Sequence, residues 1–221
     1  MPVDSVRRIR DNGTLELLPR RITSKFEFDE ERSRTAQDLL TREGGEHPYE
    51  FEGQEITCTP FRFTTEPLFG SPKKIEGVIE RRKSSQLVFL ILDQDTPKPD
   101  TVFSELIDSV DQDLSIETDF SPTHQKICDF IRSAKEIIKV SSPVAYEGEE
   151  INRIHSGEDL PVEIARLKFE FQNDSGVVTY ADGQLDIPLP DKEDNLIDSV
   201  CKGVSLREYI IQQFEAAVVS R

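Results

Sequence analysis

Cysteine is scarce in this sequence, and its pattern excludes a disulfide framework. The three residues, Cys58, Cys128 and Cys201, are odd in number, widely separated and each set among apolar neighbours. Disulfide scaffolds and zinc sites place cysteines in even numbers or at short regular spacings, and neither pattern occurs here. We therefore expect three buried free thiols that behave as small hydrophobic side chains.

Long hydrophobic runs are also missing. The longest apolar run extends from Leu87 to Leu92, far short of the roughly 18 residues that indicate a transmembrane helix. The N-terminal stretch MPVDSVRRIRDNG has no apolar segment of the kind that a secretory signal requires. We expect a protein without a membrane partner that stays in the compartment where it is made, either the cytoplasm or a virion.

Positive charge is in deficit. The chain has 27 Lys and Arg against 43 Asp and Glu, a net charge of -16, so its average surface repels nucleic acid and anionic membranes. Two short basic clusters have no interleaved aromatic residues, and we interpret them as solvated faces rather than nucleic-acid sites. The acid excess, with Arg more frequent than Lys, is typical of a halophilic cell, where carboxylates keep the surface hydrated. The clusters comprise Arg7, Arg8, Arg10, Arg20 and Arg21 near the start, and Lys73, Lys74, Arg81, Arg82 and Lys83 further on.

Alternating apolar and polar residues predict strands in the first half. A chain of 221 residues can bury a core without disulfides or metals. Period-two alternation at 22–28 and 56–63 is typical of half-buried strands, and the apolar run Leu87–Leu92 predicts a buried central strand. Residues 29–42 have the composition of a helix but only a thin apolar face, so we predict a helix there, with strand as the alternative.

Helix-start signals appear in the second half. Asp100 is predicted to cap one helix, and Ser121 followed by Pro122 is predicted to start another. Ser205 and Glu208 have the spacing of a capping box for a terminal helix. The apolar face of this last helix needs a partner, either a neighbouring sheet or another chain.

The fold class follows from the order of these elements. Residues 165–190 alternate in polarity around two turn signals and predict a three-stranded meander, whereas 136–142 could be helix or strand. The acidic segment 111–120 separates a β-rich half from a mixed half. We predict an α+β protein with a mixed or antiparallel sheet, divided into a β-rich subdomain, 1–114, and an α+β subdomain, 115–221.

One acidic pair is the only candidate for catalytic chemistry. Asp93 and Asp95 follow the predicted strand Leu87–Leu92, and two carboxylates at a strand end can jointly hold Mg²⁺ or Mn²⁺, which prefer oxygen ligands. Over this stretch alone, FLILDQDTPKPDTVFSEL resembles the D-x-D strand of GT-A type glycosyltransferases. The resemblance implies that Asp93 and Asp95 hold the metal on a nucleotide-sugar diphosphate. That fold needs a nucleotide-binding βαβ unit upstream, where residues 1–86 instead predict β hairpins.

A second resemblance covers residues 18–63. The stretch LPRRITSKFEF, then a polar segment, then EGGEHPYEFEGQEITCTPFRF is similar to the opening β domain of adaptor proteins in the tails and baseplates of prokaryotic viruses. In that family a first strand, a segment ending in a glycine-bearing turn and a second hairpin build a sheet that docks on neighbouring subunits. The resemblance implies strand and loop at 29–42 and a structural role.

The functional prediction weighs these two readings. The sequence has no nucleophile elbow, P-loop or dinucleotide fingerprint. Catalysis needs several convergent and chemically distinct groups, whereas edge strands and apolar helix faces serve subunit docking. We predict a non-catalytic structural or adaptor subunit without a cofactor, whose partners are other protein subunits or copies of itself. The alternative is a Mg²⁺- or Mn²⁺-dependent enzyme that uses Asp93 and Asp95 for glycosyl transfer or other phosphate-ester chemistry.

Overall fold

The computed structural model describes residues 3–8, 25–36, 54–65, 71–93, 98–109, 120–146, 148–181, 184–187 and 195–219. These residues form ten strands and five helices. The strands are β1 (Val3–Arg8), β2 (Phe26–Phe28), β3 (Arg32–Thr35), β4 (Glu55–Thr65), β5 (Lys73–Arg82), β6 (Leu87–Leu92), β7 (Glu136–Ser141), β8 (Ile164–Phe171), β9 (Asp174–Ala181) and β10 (Gln184–Asp186). The helices are α1 (Pro99–Ser109), α2 (His124–Arg132), α3 (Glu150–His155), α4 (Leu196–Lys202) and α5 (Ser205–Val219).

The ten strands make one antiparallel sheet. Its order is β2-β4-β5-β6-β1-β10-β9-β8-β7, and β3 pairs with β4 on the same side as β2. Because β1 pairs with β6 on one side and with β10 on the other, strands from both halves of the chain share the sheet. The α+β class and the meander β8-β9-β10 are therefore confirmed. The predicted boundary between residues 114 and 115 lies outside the described residues, so the division into subdomains stays a prediction.

Hydrophobic cores lie on both faces of the sheet. Helices α2 to α5 cover one face, the broad face, whereas α1 covers β1 and β6 on the other, the narrow face. Every side chain of β6 is buried, as predicted for this strand, and full burial of such a side chain contributes about 1.5–3 kcal/mol. The broad face takes Leu87, Phe89 and Ile91, and the narrow face takes Val88, Leu90 and Leu92.

A proline inside β4 is tolerated because its nitrogen, which has no hydrogen to donate, faces away from β5. Pro60 lies opposite Val78 of β5, yet its carbonyl accepts a hydrogen bond from the Asp29 amide at 2.9 Å. The amide position of Pro60 faces the same way as its carbonyl, toward the stretch of chain between β2 and β3. The ladder between β4 and β5 therefore loses no hydrogen bond at this position.

A close approach of ring and backbone fixes one glycine of β5. The narrow face carries an aromatic group in which Phe26 lies 4.8 Å from Phe63 and 6.0 Å from Phe61, measured between ring centroids. A Cβ atom on Gly77 would come within 2.5 Å of the Phe61 ring and 2.8 Å of the Ile91 carbonyl oxygen. Only glycine fits at this position without displacing its neighbours.

Two segments whose sequence pattern fitted either a helix or a strand form strands in the part that the structure describes. The helix prediction for 29–42 is wrong at Arg32–Thr35, which forms β3 against β4; residues 37–42 lie outside the described part. The thin apolar face has a physical reason, because Arg32 and Arg34 make ion pairs instead of hydrophobic contacts. The segment Glu136–Ser141 is the strand β7.

Helix starts differ slightly from the predicted caps. Thr123, not Ser121, precedes α2, and its hydroxyl accepts a hydrogen bond from the Lys126 amide at 3.4 Å. Asp100 lies inside the first turn of α1, which begins at Pro99. Among the described residues, no helix is both long and apolar enough to span a membrane.

Candidate functional site

The predicted metal pair is described only in part. Asp93 is exposed directly after β6, and its amide donates to the Glu76 carbonyl at 3.1 Å. Asp95 lies outside the described residues, so the geometry of the pair stays a prediction. In the part of the chain that is described, no three His, Cys, Asp or Glu residues come together as a possible metal site.

Five charged side chains instead meet inside the molecule, in what we call the ion network: Arg34 of β3, Glu80 and Arg82 of β5, and Glu208 and Glu215 of α5. Arg82 donates to Glu80 at 2.8 Å, to Glu215 at 2.6 Å and also to Glu208. Arg34 donates to Glu208 at 3.2 Å and to Glu80 at 3.3 Å. Glu80, Arg82 and Glu215 have no exposed surface, so the network fastens α5 to the sheet beneath it.

The electrostatics of the ion network match this structural role. Burial by itself raises the pKa of Glu208, but the charge and hydrogen bonds of Arg82 outweigh it and lower the pKa to about 2. Burial raises the pKa of Glu215 despite the opposing charge of Arg82 and the hydrogen bonds donated by Ser85 and Gln54. The ion network thus brings two arginines against three carboxylates that are closed off from solvent. Its donors and acceptors face one another inside the molecule.

The sequence contained a signal for the ion network that pattern reasoning missed. Glu208 and Glu215 are seven residues apart and therefore lie on the same side of a helix, and Glu80 and Arg82 lie on the same face of a strand. The terminal helix begins at Ser205, as predicted, and the Glu208 carboxylate accepts hydrogen bonds from Arg82 and Arg34; its role in a capping box stays a prediction. Such charges on faces that are otherwise buried are expected to pair with each other.

A second polar contact fixes α1 to the sheet. The Asp100 carboxylate accepts hydrogen bonds from Ser5 of β1 and Gln184 of β10, and Arg7 donates to it at 2.6 Å. Partial burial raises the pKa of Asp100, but these hydrogen bonds and the Arg7 charge bring it below its ordinary value. The Arg7 guanidinium also lies 5.5 Å from the centre of the Phe103 ring. These groups are satisfied by one another and hold α1 over the middle of the sheet.

All three cysteines are buried free thiols, as predicted. The thiols of Cys58 in β4 and Cys201 in α4 lie close enough to perturb each other's pKa. This contact, together with burial, raises the pKa of Cys58, and the same contact lowers the pKa of Cys201. The pair adds a further polar contact between the sheet and a helix of the broad face.

Over β7, β8 and β9 no helix of the described residues covers the narrow face, and we call this surface the open face. Its side chains alternate with residues buried under α2 and α5 on the broad face. Ile138, Ile164 and Val177 are 40%, 40% and 38% exposed there, which makes them three of the four large hydrophobic residues that the described part exposes. The open face consists of Glu136, Ile138, Lys139, Ile164, Arg166, Lys168, Glu170, Val177 and Thr179.

Two cations of the open face are direct neighbours. Lys139 of β7 lies opposite Arg166 of β8, and both side chains are exposed. Lys168 is held by Glu170 at 2.8 Å, but among the described residues neither Lys139 nor Arg166 has a carboxylate within ion-pair distance. Like charges directly opposite each other in a sheet repel.

Comparison with known proteins identified no relative of the chain. No protein-family model matches the chain, and no curated protein matches it.

Proposed function

We propose that the protein is a non-catalytic structural or adaptor subunit of a larger protein assembly. The observation that carries the proposal is the open face, where Ile138, Ile164 and Val177 lie exposed on a sheet whose opposite face is fully packed. Exposed aliphatic side chains grouped on one regular surface are typical of interaction sites. The strongest polar cluster of the described part, by contrast, is sealed inside the molecule.

The resemblance of residues 18–63 to adaptor domains of viral tails and baseplates gives the proposal a concrete form. In that form the chain docks on neighbouring subunits in the cytoplasm during assembly and remains in the virion afterwards. The basic clusters noted in the sequence support a protein partner over nucleic acid, because much of their charge is already paired. The described pairs are Arg7–Asp100, Lys74–Glu27, Arg81–Glu31, Lys83–Glu55 and Arg82 with the ion network.

The test is the mass of the protein in the company of its native neighbours. The full chain is purified gently from its source cells and analysed by size exclusion with multi-angle light scattering. We expect a stoichiometric complex, either with other chains or with further copies. A chain that runs as a monomer and co-purifies with nothing, at both low and native salt, contradicts the proposal.

A matched pair of variants ties that complex to the open face. Ile164→Asp places a charge on the open face and should release the complex, because an unpaired carboxylate would be buried at the interface. Thr101→Asp places the same charge on the exposed side of α1 and should leave the complex intact. Equal effects of the two variants would move the interface away from the open face.

A further inference from the structure

We propose that the open face binds an acidic surface of a different protein, with the partner's carboxylates lying against Lys139 and Arg166. This inference rests on the proposed function and names the chemistry of its partner. Its starting point is the cross-strand pairing of Lys139 and Arg166, two exposed cations with no carboxylate at ion-pair distance in the described part of the chain. A partner's carboxylate between them would relieve their repulsion.

The local charge is opposite to that of the whole protein. Lys135, Lys139, Arg166 and Lys168 lie around the open face with three neighbouring carboxylates among the described residues, so four cations minus three anions leave a local charge of +1. The chain as a whole has a net charge of -16. An acidic partner is repelled by most of this protein and attracted here, which fixes where and how it docks. The three neighbouring carboxylates are Glu136, Glu170 and Asp186, the last of which lies opposite Thr179.

The apolar residues of the open face favour a protein over nucleic acid. Ile138 and Ile164 lie beside the two cations on β7 and β8, and Val177 lies on the neighbouring strand β9. Interfaces between proteins combine such aliphatic contacts with complementary charges. Nucleic-acid surfaces use aromatic side chains for stacking. The aromatic residues of β8, Phe169 and Phe171, point away from the open face into the core.

The bulge in β7 indicates that the partner docks on the face of the sheet and does not add a strand to its edge. This strand is the last in the sheet order, and its pairing with β8 is shifted by a bulge between Ile137 and Lys139. Bulges and lysines are the devices by which natural sheets block pairing at an edge. The face of the sheet beside that edge therefore carries the interaction.

A second copy of the chain is a poorer occupant than a different protein. A two-fold dimer brings the same patch of both copies together, so Lys139 and Arg166 of one copy would approach the same cations of the other. A head-to-tail contact between copies would not close and would produce filaments. A different protein with carboxylates and aliphatic residues on one surface avoids both problems.

The test uses zero-length cross-linking in the native extract, since carbodiimide joins a lysine amine to a carboxylate that touches it. We expect mass spectrometry to find Lys139 joined to an Asp or Glu of another protein, and Lys73 and Lys98, which are also exposed, not joined to that protein. A cross-link from Lys139 to a second copy, or binding that nuclease treatment abolishes, overturns the inference.

The partner identified in this way is then titrated against charge-reversed variants of the full chain. Lys139→Glu combined with Arg166→Glu should weaken binding about tenfold or more, because two attractions become repulsions. The control combines Lys73→Glu with Lys98→Glu, which makes the same change in net charge and should alter binding less than about twofold. Equal effects overturn the inference but leave the proposed function in place. A monomeric chain that cross-links to no protein contradicts both.

Discussion

Replacing Arg82 by methionine removes the one cation that contacts three buried carboxylates. Glu80, Glu208 and Glu215 accept from Arg82 at 2.8, 3.0 and 2.6 Å, and all three are buried. Removing one partner of a buried ion pair typically costs about 3–5 kcal/mol, because the remaining charge stays desolvated. Since a domain is stable by about 5–15 kcal/mol, Arg82→Met should lower the free energy of unfolding by a large fraction. Urea unfolding with linear extrapolation measures this loss.

Two further variants separate charge from packing. Arg62→Met removes a half-exposed arginine whose ion pairs with Asp29 and Glu76 are longer, at 3.5 and 3.4 Å, and should cost less than about 1 kcal/mol. Arg82→Met combined with Glu208→Leu should be more stable than Arg82→Met alone, because one uncompensated carboxylate is gone. The reasoning is refuted if Arg82→Met costs no more than Arg62→Met, or if the double variant recovers nothing.

The pH dependence gives the same prediction a second readout. The pKa of Glu208 falls from 4.5 to about 2 on folding, so its contribution to stability is complete above pH 4.5 and is lost as the pH falls toward 2. The difference between 4.5 and about 2 corresponds to about 3 kcal/mol. Glu215 has the opposite sign: its pKa is raised, so its contribution is present below pH 4.5 and is lost as the pH rises. In Arg82→Met the loss of stability between pH 4.5 and 2 should be clearly smaller than in the parent.

Three other predictions follow from separate parts of the chain. Gly77→Ala should destabilise the protein by about 1–3 kcal/mol in urea unfolding, because the new Cβ overlaps the Phe61 ring and a carbonyl oxygen. Mn²⁺ should leave the thermal midpoint of the parent unchanged; a rise that disappears in Asp95→Ala would favour the metal-dependent alternative instead. Iodoacetamide should alkylate Cys201 before Cys58, because the pKa of Cys201 is the lower of the two. Mass spectrometry of the peptides reads out the order of alkylation. Alkylation of Cys58 before Cys201 would contradict the prediction.

Apolar periodicity predicted much of the fold because it depends only on neighbouring residues. The run Leu87–Leu92 is a strand buried on both faces, and the alternation around Phe169 is β8, the first strand of the meander, which packs under α5. The failure at Arg32–Thr35 has a physical cause. Arg32 and Arg34 leave this segment with a thin apolar face, and the residues that pair with them, Asp198 and Glu208, are distant in the sequence.

The open face was visible in the sequence only as the polar half of an alternating strand. Lys168 and Glu170 were correctly predicted to alternate with buried residues. The strand beside them is β7, and a bulge in β7 sets its register against β8. The pairing of Lys139 with Arg166 is therefore a property of the tertiary structure that local patterns do not encode.

The position of the open face makes it suitable for docking because its support is rigid. Every second residue of β8 is packed beneath it, and Phe169 stacks on Phe130, which contacts Phe214 edge to face at 5.2 Å. Strands held in this way lose little conformational freedom when a partner binds, so less of the interaction energy is spent on ordering the surface. The ion network also supports the open face, because it fixes α5, which carries Phe214, to β5. Loosening that helix through Arg82→Met should therefore weaken partner binding as well as stability, although Arg82 is buried on the opposite face.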